Sequence, residues 1–327
     1  MLTIDGSHLE GGGQIVRMAV TLAALSGRAM EITRIRAGRP RRGLAAQHVA
    51  AVHAVAMTCN ATCRGLAVGS EGLTFSPGEP RKIGLSLDVG TAGSVSLVLQ
   101  AWLPIAIRVG GSITVRGGTE VEHSPTIDYL EHVFLPCLRA AGGVITLVTS
   151  HRGYYPRGGG EVHMAVEPSI LKPVTVAKRD PPLMGICSAS SNLPDHVAER
   201  QATAARKRLH EELGIDAPVQ LDRRMEVSTG SSCTVWYGAK GSTALGRRGL
   251  PAERVGTRAA DGLIDAIRAG GSVDVHLSDQ LLVYLAQYGG TYTASSVTSH
   301  TETMAWLLEQ FGYTITINHD GVVEVRA

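Results

Sequence analysis

The chain has 327 residues, enough for a large core and a smaller second unit, and its 44% apolar content is that of an ordinary folded protein. A formal charge of +2 excludes a global field for wrapping duplex DNA, so any polyanion must be met by a local patch. Aromatic residues make up only 4%, which argues against a binder that stacks one base after another along a strand.

In chain order, a strand over Leu2–Asp5 leads through a glycine-rich turn into a helix over Gln14–Ser26, with no signal peptide ahead of it. A strand over Ala29–Arg36, a helix over Leu44–Cys59 and strands over Ala61–Val68 and Gly72–Ser76 complete a βαβαββ unit. A second unit follows: strand Lys82–Leu87, helix Val95–Ile107, strand Ser112–Arg116, helix Ile127–Ala140, strands Val144–Ser150 and Gly159–Val166. A third starts near Lys178 and Pro181-Pro182 and is interrupted. It resumes after Gly271 with strand Ser272–His276, helix Gln280–Gln287, strand Tyr292–Ala294, helix Thr301–Gln310 and two closing strands. Between lie a helical Pro194–Leu213, strands Pro218–Val227 and Cys233–Gly238, and a helix over Ala252–Ala269. The expected class is α+β: three βαβαββ repeats form a large domain over residues 1–177 and 272–327, with a small α/β domain, 178–271, inserted in the third. The apolar run Val95–Val109 contains Gln100, Pro104 and Arg108 and is too short to span a bilayer, so a soluble, cytoplasmic protein is expected. Five scattered cysteines without metal spacing fit a reducing compartment and argue against zinc.

The stretch Gly6–Ala19 packs Glu10, three consecutive glycines and Arg17 between the first strand and the first helix. Glycines there let backbone N–H groups approach an anion that a Cβ would block, and the helix start adds partial positive charge. Five arginines follow within residues 34–42, broken by Gly and Pro, and guanidinium forks suit phosphate oxygens. The glycine turn should lie where the repeats meet. His300 stands in a Ser/Thr-rich turn at a helix start, where the helix field favours a neutral, nucleophilic ring. His48 and His53, five apart on one helix, share no metal-binding face and read as core-edge or solvated; Asp279 reads as a helix cap.

Ordered along nearly the whole chain, from Asp5 to Asp320, are Glu10–Arg17, Arg36–Arg39, Gly43–His48, Thr91–Ser94 with Leu97–Gln100, Gly117–Thr119, Tyr154–Gly160, His196–Arg200, Asp279-Gln280 and Ser299-His300. This set resembles the RNA 3'-terminal phosphate cyclases. The resemblance implies three repeats of a fold like the C-terminal domain of bacterial translation initiation factor three, an architecture shared with the enolpyruvyl transferases. It implies that ATP adenylylates a histidine, that AMP passes to an RNA 3'-phosphate, and that the vicinal 2'-OH closes a 2',3'-cyclic phosphate with release of AMP. By the same resemblance His300 is the nucleophile, and Glu10 is the carboxylate near a divalent metal, Mg2+ or Mn2+. Arg17, Arg36, Arg39 and Gln47 act around phosphates; Gln100, Pro125, His276, Leu277, Ser278, Asp279 and Gln280 form the ATP pocket. Arg41 and Arg42 make the basic loop richer than the family pattern, and His276 stands where the family carries an aromatic residue against adenine. The partner implied is RNA with a 3'-phosphate end; the subunit number, a homodimer included, is open. Two rival readings are a noncatalytic relative that binds RNA in ribosome assembly and an enolpyruvyl transferase; retention of His300 with Glu10 and the arginines weighs against the first, and a short insert in place of a second full domain, with a nucleophilic histidine such an enzyme does not need, against the second.

Overall fold

The computed structural model describes residues 1–176 and 182–318, and the backbone of 322–326. Four four-stranded sheets carry the chain. The first holds β1 (Leu2–Asp5), β2 (Met30–Thr33), β3 (Thr62–Arg64) and β4 (Leu73–Ser76), with α1 (Gly13–Ser26) and α2 (Ala46–Thr58) in the connections. β1 and β2 run parallel and the remaining pairs antiparallel, in the order β1-β2-β4-β3. The second sheet repeats that order: β5 (Ile83–Asp88) and β6 (Gly111–Gly117) are parallel, and β8 (Gly160–Glu167) lies between β6 and β7 (Val144–His151). Its crossovers are α3 (Val95–Val109) and a helical stretch made of α4 (Ile127–Tyr129), a π-helical turn at Leu130–Phe134 and α5 (Leu135–Ala140).

The third sheet has the same order again but is split in the chain. Its first strand, β9 (Val174–Thr175), pairs in parallel with β14 (Gly290–Thr293), and β16 (Val322–Arg326) separates β14 from β15 (Thr314–Ile317). Helices α8 (Val275–Tyr288) and α9 (Ser299–Gln310) connect them. Between β9 and α8 the chain builds the fourth sheet from β10 (Met184–Ser191), β11 (Val219–Arg224), β12 (Gly230–Tyr237) and β13 (Lys240–Leu245), covered by α6 (His196–Leu213) and α7 (Ala252–Arg268).

Two apolar clusters result. The large one joins the helices of the first three sheets, with Ile15, Trp102, Leu281 and Leu308 at its centre, and the smaller one packs α6 and α7 on the fourth sheet through Leu209, Val235 and Leu263. Buried polar atoms in the large core find partners across helices: Thr21 Oγ1 donates to Ala101 O at 2.8 Å and Trp102 Nε1 to Thr58 Oγ1 at 3.0 Å. A buried ionic knot ties the fourth sheet to the second. Arg152 donates to Glu120 at 2.6 Å, to both oxygens of Asp128 at 2.9 and 2.8 Å, and to Asp222 of β11 at 2.7 Å. Burial pushes the Glu120 carboxyl up to about 8 against the pull of Arg152.

Several expected elements move. The strand expected at Ser272–His276 is absent: Asp274 caps α8 by accepting the N–H groups of His276 (2.8 Å) and Leu277 (2.9 Å), so the helix starts at Val275 rather than Gln280. Asp279, expected as a cap, therefore lies inside α8. The third unit begins at β9, before Lys178; Lys178, Pro181 and Asp320 lie outside the described residues. β2 stops at Thr33, short of Arg36, because Arg34 and Arg36 take left-handed φ values of 54° and 52°. Strands β10 and β13 carry small, polar or charged residues in place of an apolar alternation, and the sequence gives no strand signal for them.

Candidate functional site

The turn after β1 is shaped by backbone contacts. Asp5 Oδ1 accepts Ser7 N–H at 2.9 Å, Leu9 and Gly11 take φ of 48° and 54°, and α1 then opens at Gly12 with no side-chain cap and no acidic residue in its first turn. The first N–H groups of α1 are thus left for an external acceptor. A Cβ on Gly13 would sit 1.9 Å from Nε2 of His48, so the turn can press against that ring only as glycine. His48 is buried rather than solvated. Its Nδ1 accepts the Ala45 N–H at 2.9 Å, and burial, helped by Arg17 and Arg36, lowers it to about 3, so it stays neutral.

Facing this turn is the start of α9, capped by Thr298. Ser299 Oγ donates to Glu10 Oε1 at 3.2 Å, His300 Nε2 lies 3.1 Å from Glu10 Oε2, and Arg39 Nη2 is 3.5 Å from the same oxygen. His300 Nδ1 lies 3.1 Å from Oε1 of Gln14, whose Nε2 donates to Asp279 Oδ2 at 2.7 Å. Since Asp279 takes the amide N–H, the Gln14 oxygen is turned to the ring as an acceptor for Nδ1–H, while Nε2 faces Glu10 Oε2 beside the uncapped start of α1. Desolvation lowers the His300 ring from its ordinary value; Arg17, His276 and Arg39 add to this while Glu10 opposes it.

Arg17 and Asp279 form the floor. Burial lowers Arg17 to about 10 and raises Asp279 to about 7, each partly offset by the other's charge, and the Arg17 Nε has no partner among the described residues. Beside them a narrow crevice of about 30 Å3 runs between Gln14, Arg17, Gln100 and Gln280. Gln100 Nε2 donates to Gln280 Oε1 at 2.7 Å across it. Arg36 donates to Gly43 O at 2.9 Å, and its charge reaches both Arg39 and His48.

Other expected site residues hold the framework. Gln47 Oε1 accepts the N–H of Ser94, the cap of α3, at 2.9 Å, and Pro125 O accepts from Ser96 Oγ at 2.6 Å. Leu277 is fully buried in the core, and the Ser278 hydroxyl pairs with Thr301 at 3.0 Å. His276 is exposed, near enough for its charge to act on His300. The starts of α1, α2, α3 and α9 are thereby linked through Gly13–His48, Gln47–Ser94 and Glu10–Ser299, and their dipoles bias one surface toward anions. Gln14 and His48 are the residues that sequence reasoning left without a part; the only signal for them was adjacency to Gly13 and Gln47.

Among the described residues no group of three or more His, Cys, Asp or Glu side chains gathers as a metal site. Glu10 is a lone carboxylate beside the uncapped start of α1, so the side chains alone would give a divalent cation a single carboxylate, and the rest of its oxygen shell would have to come from water or a bound ligand. All five cysteines are free thiols. No helix among the described residues is long and apolar enough to cross a membrane. A larger groove of about 620 Å3 between α6 and β11 is lined by charges that pair with each other, Arg206 with Asp216 at 2.7 Å and Lys207 with Glu211 at 3.7 Å, and offers no comparable anion site.

The family model described as RNA 3'-terminal phosphate cyclase matches residues 8–317, a span that takes in both Glu10 and His300. The chain belongs to this family. Relatives named RNA 3'-terminal phosphate cyclase occur in Methanococcoides burtonii, 44% identical over 314 residues, covering 95% of this chain and 94% of the relative. That of Archaeoglobus fulgidus is 43% identical over 315 residues, 95% of each chain. That of Thermococcus kodakarensis is 43% identical over 315 residues, 94% of this chain and 92% of the relative. In this member of the cyclase family the glycine turn and the α9 histidine, from opposite ends of the chain, meet across hydrogen-bond distances.

Proposed function

We propose that the protein is an ATP-dependent RNA 3'-phosphate cyclase. In the first step Nε2 of His300 attacks the α-phosphorus of ATP and pyrophosphate leaves. An oxygen of the RNA 3'-phosphate then attacks that phosphorus, the N–P bond breaks, and AMP is transferred to the RNA end. The 2'-OH next attacks the 3'-phosphorus, loses its proton, and expels AMP to leave a 2',3'-cyclic phosphate. Charge stabilisation by Arg17, Arg36, Arg39 and the open start of α1 is what such transfers chiefly require. A divalent cation held by Glu10 would supply further neutralisation of phosphate oxygens and would take that carboxylate off the His300 ring. Gln100 and the run His276–Gln280 are assigned to the nucleotide, with Gln47 and Pro125 supporting the loops around it.

The observation that carries this reading is the His300 ring held through Nδ1 by Gln14, with Nε2 at the mouth of an uncapped helix flanked by guanidinium groups. The three sheets of common strand order are read as repeats of the βαβαββ unit known from the enolpyruvyl transferases, with residues 178–271 as an inserted domain.

Incubation with α-labelled ATP and a divalent metal should yield an acid-labile, base-stable adduct that His300→Ala lacks. Because the ring sits below the ordinary histidine range, the rate of adduct formation should stay level through neutral pH and fall only as acid protonates Nε2. RNA ending in a 3'-phosphate should become phosphatase-resistant while RNA ending in 3'-OH stays unchanged. Absence of any adduct from a protein that still binds RNA would instead support a noncatalytic binding module.

A further inference from the structure

Among the described residues Tyr155 is the one exposed aromatic side chain, at 78% exposure; the other Tyr, Phe and Trp residues there are buried or half-buried. It rides on the turn at residues 155–157, whose flanks are held by hydrogen bonds, Gly158 N–H donating to Tyr154 O at 2.8 Å across its base. Gly153 leaves no room for a Cβ, which would meet Gly117 O at 2.3 Å, and a Cβ on Gly158, at φ 68°, would meet Ala92 Cα at 3.0 Å. Ser228 Oγ donates to Gly158 O at 2.7 Å and accepts Tyr154 N–H at 2.8 Å, while Arg152 anchors the base of the loop in its buried carboxylates. A large ring displayed on so rigid a mount is not placed there by packing, since it covers nothing, and it loses little freedom on binding.

Its surroundings combine apolar and cationic character. Val227, 62% exposed, lies against Gly159, and Met225, two residues earlier, is 87% exposed. Arg157, on the same loop, is exposed and forms no ion pair among the described residues, and the same holds for Arg41 and Arg42. The nearby carboxylate of Asp88 is engaged by the Gly90 N–H at 2.7 Å. A continuous path joins this loop to His300: Gly158 touches Ala92, Gly93 touches Gln47, and His48 touches Gly13, with Arg41 and Arg42 on the segment between Arg39 and Gln47.

We propose that this loop is a docking platform for the single-stranded RNA that leads up to the reacting end, with Tyr155 stacking on one base and Arg157 taking a phosphate. The inference rests on the cyclase reading and names where the body of its substrate lies. A single stacking residue suits a protein that holds a terminus and is otherwise poor in aromatics, and stacking on a lone ring tolerates any base.

The test compares labelled RNA of about ten nucleotides with RNA of about three, both ending in a 3'-phosphate, by fluorescence anisotropy on the full chain. Wild type should bind the longer RNA more tightly. Tyr155→Ala should weaken that binding by about 5- to 10-fold and erase the length advantage, and Tyr155→Phe should retain it. Arg157→Ala should reduce the slope of log affinity against log salt by about 0.7. Equal affinity of Tyr155→Ala and wild type for the longer RNA, or no length advantage in wild type, overturns the proposal. So does a change of oligomeric state in Tyr155→Ala with RNA binding intact, which would assign the patch to a second copy of the chain. Because binding is read without turnover, a wild type that binds yet never cyclises refutes the enzymatic reading while the Tyr155 comparison still decides the platform.

Discussion

Replacing Asp279 by Asn should stabilise the protein above neutral pH and leave it unchanged in acid. The Asp279 carboxyl titrates at about 7 in the folded state, against an ordinary 3.8, chiefly because burial on α8 removes water from its charged form; the Arg17 charge offsets only part of that cost. The folded protein therefore keeps a proton there that the unfolded chain gives up near pH 4. Stability is fully present below that pH and declines as pH rises toward 7. At ~1.4 kcal/mol per unit over about three units, the loss approaches roughly 4 kcal/mol by pH 8, an upper figure since the site retains some contact with water. Asn reproduces the neutral form and its reach to Gln14. Urea unfolding of both proteins at pH 4 and pH 8 isolates this group, because every other titration is common to the pair. The difference should be near zero at pH 4 and about 2–4 kcal/mol in favour of Asn at pH 8. A difference that does not grow with pH would show that Asp279 is charged and comfortable in the native state, and would refute the argument that burial holds its proton. The Asn variant should also form adduct more slowly, since its side-chain amide no longer fixes which way the Gln14 amide faces.

Gly13→Ala should destabilise the protein by about 1–3 kcal/mol in thermal or urea unfolding, because its Cβ would fall 1.9 Å from the tethered His48 ring. Adding His48→Ala should recover much of that loss, and a double variant no better than the single one would exclude the clash as its cause. Arg152→Met should cost about 3–5 kcal/mol by leaving Glu120, Asp128 and Asp222 without their shared donor, and a loss below about 1 kcal/mol would mean that the knot adds no net stability.

The alternation of strands and helices in the first two units was legible because their apolar runs are long and their breaks are marked by glycine, as at Gly27 after α1 and Gly110 after α3. The meeting of the glycine turn with His300 was legible as well, although only through the resemblance, since no periodicity connects residue 10 with residue 300. Two carboxylates five residues apart confused the start of α8: Asp274 and Asp279 each stand just ahead of a stretch of apolar residues, and only tertiary packing decides that the first caps the helix and the second lies half-buried inside it. β10 escaped notice because it is central in its sheet and built of Gly, Ser, Ala and Cys, so it buries backbone more than apolar side chains. The parts of Gln14 and His48 depend on which atom of an amide or a ring points where, and no spacing rule encodes that.

Ser299 and Glu10 are 289 residues apart in the chain, so the glycine turn leaves the ribosome long before the helix that carries His300. Until that helix is made, a nascent molecule carries the glycine turn with no counterpart across from it. Premature termination anywhere before Ser299 would yield a product able to collect anions but without an imidazole to offer them. Emergence of α9 is thus the event that converts the cradle into a pair.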